Sequence, residues 1–237
     1  MIVAIHQPEH LPWLGFLHKA SLSNCFVILD NVQFRKNYFQ NRNRIRTKSG
    51  TSWITIPVKK HELSTPINQI EITSIHKWTE KYWKTISINY SKAPHFHKYR
   101  SFFKSILQTK RDSLLDINME IIRYLFEMFG INPQIILASS LTNARGTSGN
   151  LLLSLCKEIG ASEYLSGISG KEYLDETIFQ VENINVKYQK FYHPIYQQVY
   201  KPFKPCMSSI DMLFNCGDKA GQLLKSTDTP RMDALFY

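Results

Sequence analysis

The chain has no C-x-x-C pair. Its four cysteines, Cys25, Cys156, Cys206 and Cys216, are scattered. That excludes zinc-ribbon spacing and argues against a disulfide framework at this size, so reduced thiols are expected. No apolar run approaches the roughly 20 residues that span a bilayer, and no membrane insertion is expected. The N-terminus MIVAIHQPEH lacks a basic n-region and a long apolar h-region, so it does not read as a secretory signal. The expected compartment is the cytoplasm. G-x-S-x-G, Walker A and complete G-x-G-x-x-G motifs are missing, as are internal repeats, low-complexity tracts and linkers. His6 and His10 are separated by Pro8, and His95 and His97 diverge on a helix, so no metal site is expected.

Acidic residues are also scarce, 19 against 29 basic ones, and the net charge is +10. A basic surface favours anionic partners: nucleotides, sugar phosphates, RNA or anionic head groups. The charge alone does not choose among them.

What is present is a chain of 237 residues, 43% hydrophobic and 13% aromatic. That suffices for a sizeable core and gives no sign of disorder. MIVAIH reads as a buried strand, and CFVILD as a second one ending in Asp30. Between them, WLGFLHKASLS suits a helix beginning near Pro12 or Trp13. This is the βαβ pattern of a parallel sheet. NRNRIRTKSGTSWITIPVKK then suggests a hairpin around KSGT, with INQIEI as a further strand. Three helical candidates follow: HKWTEKYWKTISINY, HFHKYRSFFKSIL and SLLDINMEIIRYLFEMFG, the last ended by Gly130. QIILAS, EYLSGI and INVKYQKF are strand-like. TSGNLLLSLCKEIGA is a helix capped by Thr147 or Ser148 and stopped at Gly160, and KEYLDETIFQVEN suits a short helix. The expected fold class is therefore α/β, a parallel Rossmann-like or HUP-like sheet in one domain over residues 1–237. Residues 41–130 form an inserted hairpin and helical segment.

Open parallel sheets bind ligands beyond the carboxyl ends of their strands. Here those ends carry His6, Gln7, Asp30, Ser139, Ser140, Ser166, Gly167, Ser169 and Gly170. His6 is the expected general acid/base, because imidazole titrates near neutrality. Asp30 is expected to orient a partner or an amine nucleophile. His10 and Trp13 would wall the pocket, and Gly167, Gly170 and Tyr173 belong to the LSGISGKEYLD loop. QFRKNYFQNRNRIRTKSG, starting at Gln33, places Arg35, Lys36, Arg42, Arg44, Arg46 and Lys48 within 14 residues. Arg42, Arg44 and Arg46 suit phosphates, and Asn41 and Asn43 suit hydroxyls. With Tyr38 and Phe39 the stretch also suits single-stranded RNA. Alternate strand residues share a face, so arginines and asparagines would point opposite ways. In FYHPIYQQ, His193, Tyr196 and Gln197 could line a sugar or nucleoside pocket.

MIVAIHQPEHLPWLGF, LDNVQFRKNYFQNRNRIRT, YLSGISGKEYLD, HPIYQQ and SSIDMLFNCG together resemble the WbqC-like proteins, from residue 1 to about 217. The resemblance implies a bacterial cytosolic protein of O-antigen, lipopolysaccharide or other surface-glycan biosynthesis. It further implies a transferase, with glycyl-type aminoacyl transfer among the suggested activities. Tyrosine is common in that family at the position of His10, which argues against His10 as a required base. QPEHLPWLGF is also similar to the P-x-H-x-G-H loop of nucleotidylyltransferases and HUP-fold ligases. Pro8 and His10 match it, while Pro12 replaces its glycine and Trp13 its second histidine.

The expected function is acyl or aminoacyl transfer to a sugar bound as its nucleotide. No cofactor is identified. A nucleotide or an activated acyl or aminoacyl donor would serve, with tRNA as one carrier. The alternatives are an ATP-dependent HUP-like nucleotidyltransferase or ligase, and a non-enzymatic RNA- or glycan-binding module. Oligomeric state stays open.

Overall fold

The fold is seen in a computed structural model that describes residues 1–73, 78–226, 228 and 230–233. Five parallel strands form the central sheet: β1 (Ile2–His6), β2 (Cys25–Ile28), β5 (Gln134–Leu137), β6 (Glu163–Ser166) and β7 (Asn185–Tyr188). Their order is β5-β2-β1-β6-β7. Counted along the chain this is 3-2-1-4-5, the Rossmann-like order, and the fold is α/β with helices on both faces. Successive side chains of a strand alternate between faces, and β1 shows why both sides fill. Val3 and Ile5 join Cys25, Val27 and Tyr164 beneath α5 (Ser148–Ile159) and α6 (Glu176–Val181). Ala4 joins Phe26 and Ile28 on the opposite face. There the cover comes from α1 (Leu14–Ser21), α4 (Leu114–Met128), α7 (Ser209–Cys216) and α8 (Ala220–Lys225).

Between β2 and β5 the chain makes a hairpin, β3 (Arg42–Thr47) and β4 (Gly50–Thr55), then α2 (Trp78–Tyr90), α3 (Phe96–Gln108) and α4. A second small pair, β8 (Tyr192–Pro194) and β9 (Arg231–Asp233), is also antiparallel. The start of the first helical candidate, His76 and Lys77, lies outside the described residues. Among the described residues no helix is long and apolar enough to cross a membrane.

Local chemistry explains the boundaries. Ser113 caps α4 by accepting from the Asp116 N–H at 3.2 Å, and Ser208 caps α7. The apolar positions Leu114, Ile117, Ile121 and Leu125 are the buried stripe of α4. Gly130 and Gly160 follow α4 and α5 with φ of +60° and +75°, where a side chain would be strained. Thr147 precedes α5 in the cap position without making a capping bond.

Two expected elements differ. INQIEI is not a strand but a turn of 3-10 helix over Ile67–Gln69 followed by isolated bridges at Glu71 and Ile72. Its amides each find a different partner: Ile67 donates to Val32 O, Asn68 to Asp30 O and Ile72 to Asp112 O. Among the described residues no neighbouring strand offers a ladder. The helix expected in KEYLDETIFQVEN starts only at Glu176, because the Asp175 carboxylate caps it through the Thr177 N–H at 3.0 Å.

Candidate functional site

β1 and β6 are neighbours from which the chain departs in opposite directions along the sheet. The crevice beyond their carboxyl ends is the position where such sheets bind ligands. His6 ends β1 and Ser166 ends β6.

His6 keeps 31% of its side chain exposed. Its ring packs edge-to-face on Phe16 of α1 at 4.9 Å. Nδ1 lies 3.0 Å from the Gln7 carbonyl. If it donates there, the lone pair is on Nε2. That nitrogen stands 3.9 Å from Oε1 of Glu9. Desolvation, and secondarily the nearby Lys19 cation, push the imidazole pKa well below its ordinary value. His6 is therefore neutral near pH 7.

Glu9 and Lys19 complete the cluster. Glu9 is only 6% exposed, and its Oε2 is buried without a hydrogen-bond partner. Burial raises its pKa to about 8, against the pull of the Trp13 N–H and of Lys19. Its carboxyl is thus mainly protonated near neutrality. Lys19 is 4% exposed and donates to the Ile5 carbonyl at 2.8 Å. Burial lowers its pKa to about 8, partly opposed by Glu9. A neutral base, a neutral acid and a cation thus share one end of β1. Such divergent environments mark groups able to exchange protons. Sequence reasoning passed over Glu9 and Lys19. A signal existed for the second: Lys19 sits three residues after Phe16, on the buried face of α1.

His10 faces elsewhere. Its Nδ1 pairs with Asn118 Oδ1 at 3.0 Å and its Nε2 with the Tyr82 hydroxyl. Both ring nitrogens are taken, and the ring ties the loop to α2 and α4. Asn118 also donates to Gln40 O at 2.7 Å, and Gln40 donates to the Gln7 side chain at 2.7 Å. Trp13 precedes α1, with its indole over Gly15 and edge-on to Phe191 at 5.4 Å.

Asp30 is fully buried and accepts from the Ser139 N–H and hydroxyl at 2.9 and 2.6 Å. It pins the end of β2 to the turn after β5. Gln33 donates to Leu63 O at 2.6 Å.

The hairpin separates its side chains as expected. Asn43 is buried and donates to the carbonyls of His10 and Leu11 at 3.2 and 2.8 Å. Asn41 donates to Ile56 O at 3.0 Å. Arg42 and Arg44 lie on the opposite face, over the Trp53 ring at 4.1 and 5.8 Å. Arg46 shares their side of the strand but is 1% exposed. It donates to the Thr47, Gly50 and Pro202 carbonyls. The three arginines therefore do not converge on the His6 loop, because the strand's alternation turns them away from it.

Around β6, the Ser166 hydroxyl donates to Gly167 O at 3.1 Å. The Gly170 N–H also donates to Gly167 O, at 2.9 Å. A Cβ on Gly170 would stand 2.1 Å from Ser166 Oγ, so a side chain there would displace the serine hydroxyl. Tyr173 is exposed.

The third aromatic stretch serves a different centre. Asp211 is fully buried and accepts from Tyr90, Tyr196 and Gln198 at 2.9, 2.8 and 2.9 Å. Tyr196 is thereby committed to Asp211. Gln197 is exposed, and its neighbour Gln198 carries the bond instead. His193 is buried, with Nδ1 on Pro194 O at 2.8 Å. Among the described residues no group of three or more His, Cys, Asp or Glu side chains could hold a metal ion.

The profile of the WbqC-like protein family matches residues 7–223. The uncharacterized protein Rv1507c of Mycobacterium tuberculosis is 31% identical over 226 residues, covering 94% of this chain and 97% of that protein. No solved structure matches. The matched range begins in the loop that holds Glu9 and ends within α8, so nearly the whole fold described above is the family's, and the chain belongs to the WbqC-like protein family.

Proposed function

We propose that the protein is a transferase of bacterial surface-glycan biosynthesis, of the O-antigen or lipopolysaccharide kind. It moves an acyl or aminoacyl group to an amino sugar bound as its nucleotide, at the carboxyl ends of β1 and β6. The observation that carries this reading is the His6–Glu9–Lys19 cluster. A neutral imidazole and a protonated carboxyl stand 3.9 Å apart there, beside a buried cation.

Transfer to an amine needs a base for the amine's proton and an acid for the leaving group. His6 Nε2 accepts the proton as the N–C bond forms. Glu9 gives its proton as the bond to the leaving group breaks. The imidazolium and carboxylate so created face each other, with Lys19 beside the carboxylate. Proton return from His6 to Glu9 restores the starting state. The donor is an activated ester or thioester of the acyl group, and aminoacyl-tRNA is one such ester.

The test is to express His6→Ala and Glu9→Gln variants in place of the wild type and to measure the modified sugar in the surface glycan. Loss in both is expected. Wild-type levels in both would remove the reading.

The 3-2-1-4-5 order favours a second reading, an ATP-dependent HUP-like nucleotidyltransferase or ligase. Against it, the His10 nitrogens are occupied and the Trp13 ring lies over the first turn of α1. ATP–pyrophosphate exchange tests it, and no exchange with any amino acid or acyl substrate counts against it.

A further inference from the structure

We propose that the outer face of the β3–β4 hairpin binds single-stranded nucleic acid, stacking bases on Trp53 and Tyr38 and holding phosphates on Arg42, Arg44 and Arg35. Cross-strand pairing puts Arg44 directly opposite Trp53, so both side chains leave the same face. The other face carries Asn43, Ile45 and Ile54, which are buried. Trp53 and Tyr38 are 43% and 45% exposed, unusual for such large rings.

The charge on this face is uncompensated. From residue 35 to residue 55 the chain carries six lysines and arginines and no acidic residue. Among the described residues, no carboxylate lies within ion-pair distance of Arg35, Arg42 or Arg44. Instead the guanidinium groups lie over rings: Arg42 and Arg44 on Trp53, and Arg35 on Tyr38 at 5.2 Å. Nε of both Arg42 and Arg44 is buried without a partner.

Cations interleaved with exposed rings are the arrangement that tracks a phosphate backbone while stacking its bases. The surface is also open. Thr51 and Thr55, which flank Trp53 on this face, are exposed, whereas small-molecule sites are concave. A polymer that contacts several such groups at once suits it better than a lone nucleotide. The face is the side of the hairpin turned away from the His10–Leu11 backbone. This proposal and the transferase reading therefore stand or fall separately.

The test uses the full chain with fluorescent oligo(U) and oligo(dT) of roughly 16 nucleotides, followed by anisotropy at several salt concentrations. The two oligomers distinguish RNA from DNA as the source of the chemistry. Binding to at least one is expected, falling steeply between about 50 and 200 mM salt. Trp53→Ala should weaken it roughly tenfold or more, with Trp53→Phe recovering most of the loss. The double variant Arg42→Ala, Arg44→Ala should reduce the log–log salt slope by about 1.4, since each single-strand phosphate contact contributes about 0.7. Lys225→Ala, a charge removed elsewhere, should change affinity by less than about twofold. Circular dichroism checks that each variant is folded. Failure to bind either oligomer at low salt overturns the proposal. So does binding that Trp53→Ala and Lys225→Ala affect equally, which is attraction to net charge alone.

Discussion

His6 Nε2 and Glu9 Oε1 stand 3.9 Å apart, three residues from one another in the loop that leaves β1. The gap is too long for a hydrogen bond. Glu9 Oε2, buried and without a hydrogen-bond partner, is left uncommitted by it.

Glu9 gives the site a pH signature. Its folded-state pKa of about 8 lies above the ordinary value of 4.5. The protonated folded form is favoured, so this contribution to stability is complete below 4.5. It is lost as pH rises through about 8. Glu9→Gln cannot ionise. The melting temperature of the variant relative to wild type should therefore rise steadily across that window while activity disappears. A difference that is flat with pH would show that Glu9 is not protonated in the fold. The histidines work in the opposite sense. His10 and His193 are lowered by burial to about 4, so their contribution is present above 6.5 and lost as pH falls through about 4.

Lys19→Met separates stability from function. The long apolar stem of lysine already fills its place on the buried face of α1. Replacing a buried charge by a hydrophobic residue of similar volume is often neutral or stabilising. Urea unfolding should show a change within about 1 kcal/mol or a gain, against loss of the Ile5 carbonyl bond. Glycan modification should fall sharply. Full activity in Lys19→Met would exclude Lys19 from the chemistry.

His10→Ala should act on stability first. It strands Asn118 Oδ1 and the Tyr82 hydroxyl in the interior. Each unsatisfied group costs about 1–3 kcal/mol, so a shift of the urea midpoint equivalent to roughly 2–6 kcal/mol is expected. Asn118→Ala should produce a similar loss, and the double variant less than the sum, because the two share a bond.

Gly15→Ala should be disruptive, although alanine is the better helix former. Its Cβ would stand 2.2 Å from the Trp13 ring. Forced overpacking costs about 1–3 kcal/mol. In a Trp13→Ala background the penalty should vanish, and thermal melts of the four proteins in the cycle measure that coupling. Additive effects would mean that the indole does not rest on Gly15.

The parallel sheet was legible in the sequence because its strands are short apolar runs and its helices carry a regular stripe, as in Leu114, Ile117, Ile121 and Leu125. The glycine stops after α4 and α5 were equally local, whereas Thr147, expected as a cap of α5, makes no capping bond. INQIEI misled because apolar alternation alone does not say whether a neighbouring strand will be there to pair with it. The site was only half legible. His6 could be placed from the end of its strand. The environment of Glu9 and Lys19 is a tertiary property. Arg46 looked like the five other cations of its stretch, and only the fold reveals the carbonyls that enclose it. Gln197 and Gln198 could not be told apart without knowing where Asp211 lies.

The strand order also has a consequence for synthesis. β1 is the central strand and is made first, but one of its two neighbours, β6, spans residues 163–166. The ribosome must therefore add roughly 160 residues beyond β1 before both walls of the crevice exist. Until then the growing chain holds β1 against β2 with its other edge open, and an unpaired edge invites pairing with another chain. Pairings between such distant segments form slowly. The crevice between β1 and β6 is thus completed late in translation, after one edge of β1 has waited for its partner.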